Sequence, residues 1–255
     1  MDAELTGDTF VEHEAIEIRS AVELPARRER IRLTTEDGLQ LIGELAVPLD
    51  AEPVATLVTL HPNPRQGGNM DSHVFRKMAN RLPALAQLAV LRFNTRGTSS
   101  PLGTSEGSFG DTDQEGPDVR AAVEAVLTRG LPHPWLVGWS FGTELALKYG
   151  PDIPDVDGVI LLSPPLYRVT AEELARWNGD PRPVTALVPE FDTFLPPDQA
   201  RERFAAVPTI DVRAFAGCKH LWVGETQVRQ VIDAVVGIVN PAALPLPTKW
   251  TDPSA

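Results

Sequence analysis

Pro134-Trp135-Leu136-Val137-Gly138-Trp139-Ser140-Phe141-Gly142-Thr143-Glu144-Leu145-Ala146-Leu147-Lys148-Tyr149 is the stretch that decides the fold. It opens on an apolar run, passes through Gly138-Trp139-Ser140-Phe141-Gly142, and continues into residues that favour a helix. A strand, a tight turn and a helix therefore follow one another, with Ser140 at the apex. Such a turn needs glycines where strand and helix approach too closely for a Cβ, and it holds the serine strained with its hydroxyl presented outward. The helix start beneath it offers unpaired backbone N–H groups to a developing negative charge. The competing reading is a tight turn with an incidental serine, and the strand before and helix after weigh against it.

The pattern Gly-x-Ser-x-Gly occurs a second time, at Gly103-Thr104-Ser105-Glu106-Gly107. There it sits among Ser99, Ser100, Pro101 and Ser108, with no strand before it and no helix after it, and reads as a loop. Ser140 is the candidate nucleophile.

Outward from this centre, apolar runs alternate with helical segments. Strands are expected at Ala55–Leu60, Ala89–Phe93, Pro134–Val137, Val159–Leu162, Val184–Val188 and Thr209–Phe215. Helices are expected at Ser72–Gln87, Pro117–Arg129, Thr143–Tyr149, Ala171–Trp177, Pro197–Ala205 and Val223–Val239. Strands separated by helices of this length imply right-handed crossovers and a mostly parallel sheet covered on both faces, an α/β architecture. Before it, Arg30–Thr35 and Leu39–Val47 flank the turn Glu36-Asp37-Gly38 and read as an antiparallel hairpin at the sheet edge. Residues 1–29 read as an acidic leader or edge segment and residues 30–240 as the body. Residues 241–255, with Pro241, Pro245, Pro247 and Pro253, read as an extended tail.

A serine hydroxyl is a weak nucleophile without a base. Where the nucleophile sits on such an elbow, the acid and then the histidine follow it in chain order. Of His13, His61, His73, His133 and His220, only His220 satisfies that order. It lies in Ala216-Gly217-Cys218-Lys219-His220, read as the loop between the last strand and the last helix. Asp192 is the preferred acid, in the loop before Phe194-Leu195-Pro196-Pro197, with Glu190 as runner-up and Asp198 as a helix cap. Two oxyanion donors are needed. One is the Phe141 N–H, and the other comes from His61-Pro62-Asn63-Pro64, where both prolines lack an N–H. Asn63 is therefore the favoured second donor, with Arg65 next. His61, Trp139 and Trp222 are placed at the substrate pocket, with Trp177 also near the cleft; for Trp139, packing beneath the helix is an equal alternative.

His61-Pro62-Asn63-Pro64, Gly67-Gly68-Asn69-Met70-Asp71, Leu91-Arg92-Phe93-Asn94-Thr95-Arg96-Gly97, Gly138-Trp139-Ser140-Phe141-Gly142 and Leu162-Ser163-Pro164-Pro165 together resemble the small α/β-hydrolases grouped with dienelactone hydrolases. The resemblance runs from about Arg30 to Val239. It implies an α/β-hydrolase fold with little or no lid and an esterase-like activity of undefined substrate. Asn63 stands where the family often has a second histidine, Thr143 where a further glycine is common, and the loop Thr98–Ser108 is longer than usual. Dienelactone hydrolases proper use a cysteine nucleophile, so that activity is disfavoured here.

Composition narrows the remaining classes. A formal net charge of −12 disfavours nucleic acid as a partner, since phosphate binding needs clustered Lys and Arg. The one basic cluster, Arg27, Arg28, Arg30 and Arg32, is broken by Glu29 and alternates with Ile31 and Leu33, as a solvated strand face does. No apolar run approaches the roughly 18 residues of a membrane span. The first twenty residues lack a basic flank and apolar stretch, and the single Cys218 has no disulfide partner in the chain. The expectation is a cytoplasmic enzyme with a small-molecule acyl substrate, no membrane, no cofactor and no metal. The sequence leaves the oligomeric state unread.

Overall fold

Short apolar strands joined by amphipathic helices fold, in the computed structural model of residues 15–251, into one mixed sheet with helices on both faces. The strands are Ile16–Glu17 (β1), Arg27–Thr34 (β2), Gln40–Val47 (β3), Ala55–Leu60 (β4), Leu88–Phe93 (β5), Ser99–Ser100 (β6) and Gly103–Thr104 (β7). They continue with Pro134–Trp139 (β8), Gly158–Leu162 (β9), Val184–Phe191 (β10), Ile210–Lys219 (β11) and Lys249–Trp250 (β12). The helices are His73–Ala86 (α1), Gly116–Thr128 (α2), Phe141–Tyr149 (α3), Ala171–Ala175 (α4), Pro197–Phe204 (α5) and Glu225–Val239 (α6).

The eight-stranded sheet has the order β11-β10-β9-β8-β4-β5-β3-β2. From β5 to β11 every neighbouring pair is parallel, while β3 runs antiparallel to both β2 and β5. The hairpin expected at the edge is thus β2–β3. After β4 the chain turns to one side to form β5 and then returns to the other side to form β8. Loops leaving the carboxyl ends of β4 and β8 diverge at this point, which is where an open α/β sheet forms its ligand crevice.

Alternation along each strand divides the core into two layers. Val159 and Leu161 of β9 face the layer of α2, α3 and α5, with Val119, Leu145 and Phe204. Ile160 and Leu162 face the layer of α1 and α6, with Phe75, Met78, Val231 and Val235. Each such side chain contributes about 1.5–3 kcal/mol on burial, so the helices are held chiefly by their apolar faces.

Several boundaries differ from the sequence reading. The last two large strands are longer than expected, because β10 and β11 extend together past a register shift, pairing Phe191 with Lys219. Gly217, Cys218 and Lys219, read as loop, therefore lie on a strand. The described part of the proline-rich tail is tied back to the body. β12 pairs with β1, and Leu246 is buried among the residues of α1 and α6. Within the leader, Leu24 is buried and its N–H donates to the Asn80 carbonyl (2.8 Å). The acidic residues Asp2 to Glu14 and Pro253 lie outside the described residues. Among the described residues, no helix is long and apolar enough to cross a membrane, and no cluster of His, Cys, Asp or Glu is arranged to hold a metal.

Candidate active site

Ser140 stands between β8 and α3 with φ +52° and ψ −115°, a conformation that non-glycine residues rarely adopt. Two glycines make the turn possible. A Cβ at 138 would overlap the backbone of Gly142, and a Cβ at 142 would overlap the Leu60 carbonyl at the end of β4. The start of α3 is thereby pressed against the carboxyl end of β4, beside the loop that carries Asn63.

The structure brings Ser140, His220 and Asp192 into one hydrogen-bonded line. Asp192 Oδ2 lies 2.8 Å from His220 Nδ1, and His220 Nε2 lies 2.9 Å from Ser140 Oγ. A carboxylate only accepts, so the proton of the neutral ring sits on Nδ1 and Nε2 faces the hydroxyl as an acceptor. Asp192 is buried, and its other oxygen accepts the backbone N–H groups of Phe194 (2.8 Å) and Leu195 (3.3 Å). Glu190, the alternative acid, is exposed on β10 and accepts the N–H of Gly217 (2.8 Å) instead.

Two buried donors that the sequence reading missed fix the backbone of His220. Trp139 Nε1–H and Ser163 Oγ–H both donate to the His220 carbonyl, at 3.1 and 3.0 Å. Ser163 ends β9 with φ +50°, and the sequence signal for it was the Ser163-Pro164-Pro165 stop after an apolar strand. The Phe194 ring covers His220 at a centroid distance of 4.4 Å, with the exposed Tyr167 stacked edge-on against Phe194.

Both expected oxyanion donors border the cleft next to Ser140. Among the described residues neither the Asn63 nor the Phe141 N–H has a hydrogen-bond partner. Arg65, the other possibility, has its N–H bonded to Asn63 Oδ1 (2.9 Å). The cleft has a volume of about 180 Å³ and is bordered by Asn63, Gln66, Phe141, Tyr167, Arg168 and Phe194, among others.

Three residues expected at the pocket are not on it. Trp139 is buried in the layer of α1, edge-on to His73 and Phe75, because its side chain points to the opposite face of the sheet. Trp222 is fully buried against Phe215 in that same layer. His61 lies under the Asn63 loop. Its Nδ1–H donates to the Pro62 carbonyl (2.7 Å), and its Nε2 accepts the Thr95 N–H (3.1 Å). Burial lowers the His61 pKa to about 4, so it stays neutral at physiological pH. Trp177, also expected near the cleft, is buried with its indole N–H on the Leu147 carbonyl (3.0 Å).

Ser105 is buried and structural in its contacts. Its hydroxyl donates to the Asn94 carbonyl (2.8 Å) and accepts the Ile42 N–H (2.9 Å). The loop reading of its surroundings is modified only by the two-residue strands β6 and β7.

Two charged residues border the cleft that sequence reasoning had not singled out, Glu144 and Arg168. Glu144 is fully buried one turn beyond Ser140, and desolvation raises its carboxyl pKa against the opposing effect of Arg168. The signal for it was an acidic residue in an apolar helical run four positions after the serine.

A model of the Alpha/beta hydrolase family matches residues 57–251. The chain belongs to that family. No curated protein matches it significantly. Among solved structures it is similar to an alpha-beta serine hydrolase homologue from Coxiella burnetii, with 23% identity and a TM-score of 0.69 over 83% of this chain and 97% of that one. It is similar also to XC6422 from Xanthomonas campestris, described as an a/b serine hydrolase without lid, with 23% identity and a TM-score of 0.68 over 88% and 99% of the two chains. The Pyrococcus furiosus esterase Pf2001 superposes with a TM-score of 0.70 at 16% identity, over 87% of this chain and 98% of that one. At these identities the likeness establishes the fold.

Proposed function

We propose that this family member hydrolyses a small carboxylic ester or thioester through an acyl-enzyme on Ser140. The observation that carries the reading is the continuous line from Asp192 through His220 to a strained Ser140, with distances of 2.8 and 2.9 Å. In this mechanism His220 Nε2 takes the proton from Ser140 Oγ as the oxygen attacks the substrate carbonyl. Asp192 holds the tautomer and stabilises the imidazolium. The unpaired N–H groups of Asn63 and Phe141 receive the oxyanion, helped by the positive end of α3. His220 then returns the proton to the leaving group, and a water activated by the same nitrogen releases the acid.

Hydrolysis is favoured over transfer to another acceptor by the openness of the cleft. The connection from β9 to β10 holds only the five-residue α4, and Ser140 remains partly accessible to water. The a/b serine hydrolase described as lacking a lid has a similar fold, which agrees with this reading. Turnover of aryl esters and acyl thioesters of graded chain length, by the wild type and by Ser140→Ala, tests the proposal. Turnover that survives Ser140→Ala would refute it.

A further inference from the structure

The cleft beside Ser140 has a charged end that acyl transfer itself does not require. Glu144 Oε1 accepts the backbone N–H of Arg168 (2.5 Å), but the buried Oε2 has no hydrogen-bond partner among the described residues. The Arg168 guanidinium stands 3.6 Å from that oxygen. Its Nε lies 2.6 Å from Asp111 Oδ1 but off the N–H direction, so the Asp111 oxygen is also left without a hydrogen bond. Arg168 is thus held by ion pairs to Asp111 and Glu144, with no well-aligned side-chain hydrogen bond among the described residues. Arg96, by contrast, is clamped by both Asp37 and Asp118. A buried acceptor without a hydrogen bond is costly, and one at the edge of a cleft is positioned to be satisfied by what the cleft binds.

We propose that Glu144 and Arg168 form a polar subsite for a neutral primary amide or hydroxyl on the acyl arm of the substrate; this rests on Ser140 being the acylated residue. Charge decides the class. A carboxylate there would face Glu144 and Asp111, and an ammonium would face Arg168. A primary amide meets both partners, which lie 3.6 Å apart, its carbonyl accepting from Arg168 and its N–H on the same side donating to Glu144 Oε2. Geometry decides the arm. The leaving group must lie against His220, which returns its proton, so the part of the substrate running along α3 toward Glu144 is the acyl arm. A site built around such polar groups rejects an apolar isostere because binding it leaves them unpaired.

The test compares three para-nitrophenyl esters on the full chain: those of glutaramic acid, which ends in a primary amide, of hexanoic acid (equal in length) and of succinic acid as the anionic member. The kcat/KM ratio of amide to alkyl ester is expected to be about 10- to 100-fold in the wild type. It should fall toward unity in Glu144→Met and in Arg168→Met. Arg168 is partly exposed, so its replacement does not threaten the fold. Glu144→Gln retains an acceptor and should keep part of the preference. A ratio near one in wild type that labels with a fluorophosphonate at Ser140, a ratio unchanged in Arg168→Met, or a preference for the succinyl ester would overturn the subsite. Wild type that fails to label would overturn the hydrolase reading, and the subsite with it.

Discussion

Acid should loosen this protein through His61, and the effect can be worked out from its surroundings. The ring is buried, with Nδ1–H spent on the Pro62 carbonyl and Nε2 accepting the Thr95 N–H. Burial disfavours a second proton, whose N–H would meet the Thr95 N–H, with the Thr95 hydroxyl (3.1 Å) as the neighbouring acceptor. The folded pKa is therefore depressed from 6.5 to about 4. The unfolded chain binds the proton first, so the stability from this residue is complete above about pH 6.5 and is lost as the pH falls toward 4. The full loss is about 3 kcal/mol, and about 2 kcal/mol is gone by pH 5. Urea unfolding at pH 7.5 and pH 5 measures it, with His61→Gln as the control that keeps one donor and one acceptor but does not titrate. The wild type should lose about 2 kcal/mol more than His61→Gln between the two pH values. Equal losses in both proteins would refute the argument, since His73 and the carboxylates titrate in both.

Asp192→Asn presents an amide where His220 needs an acceptor, and turnover should fall by about 10⁴, the loss that follows the same replacement in a serine-protease triad, while Glu190→Gln stays near wild type in steady-state rates. Ser105→Ala leaves the Ile42 N–H and the Asn94 carbonyl unpaired, so it should lower unfolding stability by about 1–3 kcal/mol with little change in turnover. Gly142→Ala drives a Cβ into the Leu60 carbonyl and should lower the thermal midpoint by at least several degrees, read by calorimetry. Glu225, whose burial opposes but does not outweigh its bonds to Arg81 and Lys77, has its pKa lowered to about 2. Its contribution is present above about pH 4.5 and lost as the pH falls toward 2. It is moderated by partial exposure, and comparing acid unfolding of wild type and Glu225→Gln measures it.

What the sequence made legible were features set by local chemistry. Gly138, Ser140 and Gly142 specify a turn that few other residues tolerate, and Glu36-Asp37-Gly38 specifies the hairpin. Chain order then singled out His220, and missing proline N–H groups singled out Asn63. Features set by distant packing stayed hidden. The extensions of β10 and β11 exist because each strand supplies the other's partner beyond a register shift, which no local pattern announces. Trp139 and Trp222 sit beside catalytic candidates in the chain, yet α1 and α6 draw their side chains to the far face of the sheet. Glu144 read as an ordinary helical residue, because only the fold reveals that its position faces the cleft.

The central claim is that Ser140 carries the acyl group. Mixing the protein briefly with a slowly deacylated aryl ester, quenching in acid and mapping the modified peptide by mass spectrometry tests it most directly. The account predicts one acyl group on Ser140 in the wild type, and none in Ser140→Ala. An acyl group on Ser105, on Cys218 or on any other residue, with Ser140 unmodified, would contradict it.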